Sequence, residues 1–91
     1  MENTVTITEL IPVNGRQSFY GKAKLIQTAN GKYLLSYSTI VAGCVDGDIH
    51  RYWSGRSKTT GSHLMSFFSA VGKNMTTKEF YELPVEEAPT I

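Results

Sequence analysis

Leu25-Ile26-Gln27-Thr28-Ala29-Asn30-Gly31-Lys32-Tyr33-Leu34-Leu35 decides the fold class. Two apolar-rich runs flank Asn30-Gly31, a dipeptide in which both residues tolerate the positive φ of a type I′ turn, so the runs read as antiparallel neighbours. Asp46-Gly47 repeats the cue between Thr39–Val45 and Asp48–Trp53. Upstream, Thr4-Val5-Thr6-Ile7-Thr8 alternates with period two and predicts a strand with Val5 and Ile7 on the core face. The expected sheet is a four-stranded antiparallel meander: about Thr4–Thr8, Ser18–Thr28, Lys32–Val45 and Asp48–Trp53. The third segment is long, and Ser36-Tyr37-Ser38 or Gly43 marks a place for a bulge or bend.

Beyond Trp53 the period changes. Leu64, Phe67, Phe68 and Val71 fall at i, i+3, i+4 and i+7, which predicts an amphipathic helix over about Lys58–Val71. Ser57 or Thr59 caps its start and Gly72 stops it. Thr76 with Glu79 forms a capping box for a short second helix, with Met75 and Phe80 as its staple and Pro84 as its end. The expected fold class is α+β: one face of the sheet packed by this C-terminal amphipathic helix, plus the short second helix. Residues 1–84 form the single domain and residues 85–91 a mobile acidic tail.

The 91 residues suit one core, and 41% hydrophobic with 19% charged residues excludes the disordered class. Cys44 is the one cysteine, so no internal disulfide forms and a closed cysteine-rich zinc site is excluded. No apolar run approaches the ~20 residues of a membrane span, and no signal sequence opens the chain, so a cytoplasmic protein is expected. No cofactor is implied. The net charge of +1 conceals a segregation. Residues 1–13 hold two glutamates (−2), residues 14–58 seven cations against two aspartates (+5), and residues 59–91 two lysines against four glutamates (−2).

That basic middle suggests an anionic partner. With Phe19, Ala23 and Leu25 turned to the helix, Tyr20, Lys22, Lys24 and Ile26 fall on the other face. Neighbouring strands add Tyr52 and His50 or, in the other register, Arg51. Cations interleaved with rings suit nucleic acid, through phosphate contacts and base stacking. The plainer reading is that the lysines keep an exposed face soluble. A second candidate is Trp53-Ser54-Gly55-Arg56-Ser57-Lys58-Thr59-Thr60, a basic, hydroxyl-rich loop entering a helix N-terminus. Arg56, Lys58, Ser57 and Thr59 there offer an anion site, although the glycine spacing of a P-loop is absent. Its plainer reading is capping by Ser57 or Thr59, with Trp53 filling the core edge.

Enzymatic signals are thin. Asp46, Asp48 and His50 share a strand face but need further ligands to hold a metal, and none is expected. His63 is expected on the helix flank, as a surface or hydrogen-bonded histidine, and Cys44 as a small hydrophobe. No catalytic residue is assigned, and the chain is read as a non-enzymatic binding module that engages nucleic acid through Lys22, Lys24, Arg51, Arg56 and Lys58, with Tyr20, Tyr52 or Trp53 as stacking groups. The alternative is a protein-interaction module, either a homodimer or an inhibitor of a host defence factor, because ten aromatics exceed what a small core hides. A small hydrolase or nuclease is the third class.

Ser36–Ala42, followed by Arg51-Tyr52-Trp53-Ser54-Gly55-Arg56-Ser57-Lys58-Thr59-Thr60, His63 and Phe67, resembles a family of small uncharacterised proteins encoded by bacteriophages and mobile elements of gut-type bacteria. The resemblance spans about residues 14–84. Trp53 and Gly55 match its Trp-x-Gly unit; Ser57, Thr59, Thr60 and His63 match its Ser-x-Thr-Thr-x-x-His helix start. The resemblance implies a cytoplasmic accessory protein that binds DNA or a host protein.

Overall fold

The computed structural model describes residues 5–12, 19 and 21–90. Five strands, β1 (Thr6–Glu9), β2 (Ala23–Gln27), β3 (Lys32–Ser36), β4 (Thr39–Val45) and β5 (Asp48–Arg51), precede α1 (Lys58–Ala70) and α2 (Thr77–Tyr81). The sheet runs β1-β2-β3-β4-β5 with every pair antiparallel, so the meander and the α+β class hold. The count of four strands is corrected to five. The long third segment folds back at Tyr37-Ser38, where Tyr37 takes φ 58°, and the amphipathic helix lies mid-chain.

The turns divide the expected chemistry differently. Asp46 and Gly47 both have positive φ, 53° and 83°, as the hairpin cue requires. Asn30 and Gly31 do not. That turn is held instead by Thr28, whose Oγ1 accepts from the N–H of both residues while its own N–H donates to the Gly31 carbonyl. Gly31 is needed for a different reason: a Cβ there would stand 2.6 Å from the Cys44 carbonyl oxygen.

Cross-strand rows show what each face carries. Thr8, Leu25, Leu34, Ala42 and Arg51 form a row on the helix side. Above it Leu64, Phe67, Phe68 and Phe80 close the core with Phe19, Ala23 and Val41, and Cys44 packs at its margin as a small hydrophobe. On the other side Ile7, Ile26, Tyr33, Gly43 and His50 form one row, and Glu9, Lys24, Leu35 and Ile40 the next. The expected inward placing of Val5 and Ile7 is therefore reversed. Thr8 takes the helix side but is itself exposed, Ile7 pairs with Ile26 on the opposite side, and Val5 and Ile7 are both exposed. Alternation in a strand of β-branched residues leaves the choice of face to the partner strand's register.

The helix signals behave as read. Ser57 is the cap that α1 uses, accepting from the Thr60 N–H, and Gly72 follows the helix with φ 71°. Thr76 and Glu79 close a reciprocal capping box on α2. No helix among the described residues is long and apolar enough to cross a membrane.

Candidate functional site

Arg51 was the residue of the basic set with two possible faces, and the register turns it inward. Its side chain is buried at 7% exposure, and all five guanidinium N–H donors are spent on backbone carbonyls. Nε donates to Trp53 O, one terminal nitrogen to Tyr81 O and Leu83 O, and the other to Ser54 O and Gly55 O. The plane also lies 5.3 Å from the Tyr81 ring centroid and 5.8 Å from that of Phe80. Its placement on a nucleic-acid surface is corrected, since a group so occupied has no donor left for a phosphate. It joins the loop after β5 to the C-terminal end of α2, whose carbonyls carry the negative end of that short helix.

Of the Trp-x-Gly and Ser-x-Thr-Thr-x-x-His residues, Trp53 and Gly55 belong to this joint through their carbonyls, and the others lie at the start of α1. Gly55 lies under the Trp53 indole, where a Cβ would come within 2.3 Å of the ring. Ser57 caps α1, while Thr60 and His63 reach back to Ser36 at the end of β3. Ser36 Oγ lies 2.8 Å from His63 Nδ1 and 3.5 Å from Thr60 Oγ1. At 3% and 1% exposure, Ser36 and His63 are sealed among Phe19 and the core, and the edge of the Phe19 ring meets the imidazole at 4.6 Å. Of the two expected states, surface or hydrogen-bonded, His63 takes the hydrogen-bonded one, and it does so in the core rather than on the helix flank. Thr59 is exposed, and no contact accounts for it.

The remaining cations stay outside. Lys22 precedes β2 and is exposed, with its Nζ 5.8 Å from the centroid of the Tyr37 ring. Tyr37 is 55% exposed at the tip of the β3–β4 turn, and its N–H donates to the Lys22 carbonyl at 2.7 Å. Lys58 and Arg56 are exposed beside the α1 N-terminus, and Arg56 stacks on Tyr81 at 4.8 Å. The Ser36–Thr60 and Tyr37–His63 contacts bring that helix terminus to the same end of the molecule as Lys22 and Tyr37. Ser57 spends its hydroxyl on the cap, which leaves the N–H groups of Lys58 and Thr59 at the open first turn. Tyr20 lies outside the described residues.

The sheet face away from the helices is aromatic and apolar rather than basic, and Ile26 and Tyr33 are buried on it. Lys24 is half-buried there, opposite Glu9 and Leu35. Gly43 makes room for Tyr33 and Tyr52, whose rings would stand 2.8–2.9 Å from any Cβ at that position. Tyr52 stacks on His50 at 6.3 Å, and His50 Nδ1 donates to Glu86 Oε2 at 2.8 Å, an exposed pair. Trp53 is half-buried against the core edge. Asp46, Asp48 and His50 gather no further ligand: among the described residues no three His, Cys, Asp or Glu side chains are placed to hold a metal.

Burial, then the neighbouring Tyr33 and the Glu86 carboxylate, push the Tyr52 phenol above its ordinary value of 10.0. The folded chain therefore holds that proton more tightly than the unfolded one. Stability from this group is complete below pH 10 and declines as pH rises through the raised value. Denaturant titrations from pH 8 to pH 11 are expected to show this decline, and Tyr52→Phe to flatten it; an unchanged slope in the variant refutes the assignment.

No curated protein and no solved structure matches the chain. A family described as of unknown function, DUF8033, matches residues 8–82, from within β1 through α2, and takes in Arg51 and the residues of its joint except Leu83. By that match the chain belongs to the DUF8033 family.

Proposed function

We propose that the protein is a non-enzymatic module that binds nucleic acid with the end of the molecule formed by Lys22, Tyr37, Arg56, Lys58 and the α1 N-terminus. The sheet face away from the helices is not the contact surface in this reading. The observation that carries it is Tyr37, a non-glycine residue held at φ 58° with its ring 55% exposed and the Lys22 ammonium beside it. That backbone region costs a bulky residue of order 1–3 kcal/mol and is enriched where a side chain must be presented. A presented ring stacks on an unpaired base of any identity, while flanking cations displace counterions from phosphates. Single-stranded DNA or RNA fits this geometry better than duplex. The setting implied by the resemblance, a cytoplasmic accessory protein of a phage or mobile element, agrees with such a role.

Fluorescence anisotropy with labelled single- and double-stranded DNA tests the reading. Three phosphate contacts predict a loss of about 10–20-fold in single-strand affinity between 50 and 200 mM salt. Tyr37→Ala and Lys22→Glu are each expected to weaken binding about tenfold, while Lys24→Glu changes it less than about twofold. Undetectable binding at low salt, or a loss confined to Lys24→Glu, refutes the proposal.

The hydrolase reading is less well supported. The Ser36–His63 pair is closed to substrate, and the exposed His50–Glu86 pair has only the Tyr52 ring stacked beside it. The protein-interaction reading has a separate surface in its favour, at β1.

A further inference from the structure

Val5, Ile7 and Ile11 are 47%, 56% and 78% exposed, three of the six large hydrophobic residues exposed among the described residues, and all lie within one seven-residue stretch. Within β1, Ile7 lies on the outer side of the sheet beside the buried Ile26; Val5 and Ile11 flank the strand at the same parity, while Leu10 is buried on the helix side. The same alternation orients the backbone. Leu10 N–H donates to Ala23 O at 3.0 Å, which makes Leu10–Ala23, Thr8–Leu25 and Thr6–Gln27 the hydrogen-bonded pairs of β1 and β2. The N–H and C=O groups of Ile7 and Glu9 consequently point away from β2, to the open side of the sheet.

The two sheet edges are treated unequally. At β5 the chain covers its own edge: Val85 bridges Arg51 in parallel, and Glu86 N–H donates to Arg51 O at 2.7 Å. At β1 no described strand pairs with the outer side, and Thr6-Ile7-Thr8-Glu9 contains none of the lysines or prolines that guard an exposed edge.

We propose that β1 is the seam of a homodimer, in which two copies pair β1 antiparallel about a two-fold axis through Thr8. This surface is separate from the nucleic-acid end, and the inference does not rest on that reading. The register follows from the outward groups. A two-fold axis at Thr8 sets Ile7 against Glu9 of the second copy and Val5 against Ile11 of the second copy, so all four outward-facing positions from 5 to 11 enter hydrogen-bonded pairs. An axis at Ile7 or Glu9 uses three of them, and the latter sets two glutamates face to face, which repel. The Thr8 register also places two Thr8 residues as a close, non-hydrogen-bonded pair, a favourable combination across strands. The apolar side chains exposed in one copy cover those of the other, and the five-stranded sheets join into one.

Sedimentation of the full chain over a roughly hundredfold concentration range is expected to show a reversible shift from 10.1 kDa to twice that mass, with no nucleic acid present. Ile7→Lys places a charge in the seam and is expected to weaken dimerisation at least about tenfold while leaving the far-ultraviolet circular dichroism unchanged. Register is read by cross-linking in a Cys44→Ser background. Thr8→Cys is expected to oxidise to a covalent dimer. Thr6→Cys is not, because its two copies stand about four residues, or ~13 Å, apart along the strands, beyond the ~7 Å reach of a disulfide. A chain that stays monomeric throughout, a dimer that survives Ile7→Lys, or equal cross-linking through Thr6 overturns the proposal.

Discussion

Arg51→Met is expected to lower the free energy of unfolding by about 3–5 kcal/mol and leave nucleic-acid binding unchanged below the transition. The side chain supplies five donors to five carbonyls from two separate stretches, 53–55 and 81–83. Hydrogen bonds from a charged donor contribute about 1.5–3 kcal/mol each, and a buried carbonyl left without a donor costs about 1–3 kcal/mol. Water can reach the outermost of these carbonyls once the guanidinium is gone, which keeps the loss well below the sum. For a chain of this size the melting temperature should fall by roughly 12 °C or more. Arg51→Lys should recover little, because a compact ammonium with three donors cannot span a planar ring of five acceptors. Thermal melts together with anisotropy on the same samples check both halves. Intact stability with lost binding would return Arg51 to the binding surface.

Phe80→Ala is expected to cost about 3–5 kcal/mol, the range for removing a buried aromatic ring. The cost is large because α2 has only five residues and Phe80 is its one fully buried side chain. A helix of that length has little stability of its own and persists through its tertiary contacts. The Phe80 ring meets Phe68 at 5.9 Å and underlies the Arg51 plane, and the Tyr81 and Leu83 carbonyls bound by Arg51 follow it in the chain. Losing the ring therefore loosens the same joint that losing the guanidinium loosens. In the double variant the two losses should fall short of additivity by about 0.5–3 kcal/mol. Urea denaturation of the two single variants and the double variant measures this; strict additivity would show that α2 and the loop after β5 are held independently.

These two residues explain why the sequence pattern that carries the resemblance is informative about structure and silent about chemistry. Trp53 needs Gly55 beneath its ring, Ser57 caps the helix, and Thr60 and His63 meet Ser36 across the core. Each is a close-fitting part of the fold from β5 into α1. Histidine next to small hydroxyl residues reads in a sequence as a surface or hydrogen-bonded side chain. The distance from Ser36 to His63, 27 residues along the chain, hides which partner it takes and that the bond is buried.

Much of the fold was legible because its signals are local. Period-two runs, the Asp46-Gly47 turn, the Leu64–Val71 stripe, the Gly72 stop and the Thr76–Glu79 box each act within a few residues, and steric and hydrogen-bonding preferences at that range are set by the residues themselves. The Tyr37 turn was less legible, since a tyrosine at positive φ opposes its own preference and is held by the strands on either side.

By itself, then, the sequence determined the element types, the antiparallel meander and the helix ends, but not the turn at Tyr37-Ser38 that makes the strands five rather than four. Only the tertiary structure decided which face of each strand is inside. Shifting a strand by one residue exchanges its faces at no local cost, so the choice falls to cross-strand register and to the helix that covers one side. That choice buried Arg51, exposed Val5 and Ile7, and left Lys22 and Tyr37 together at the helix end, because charge and aromaticity specify what a side chain can do while long-range pairing specifies where it stands.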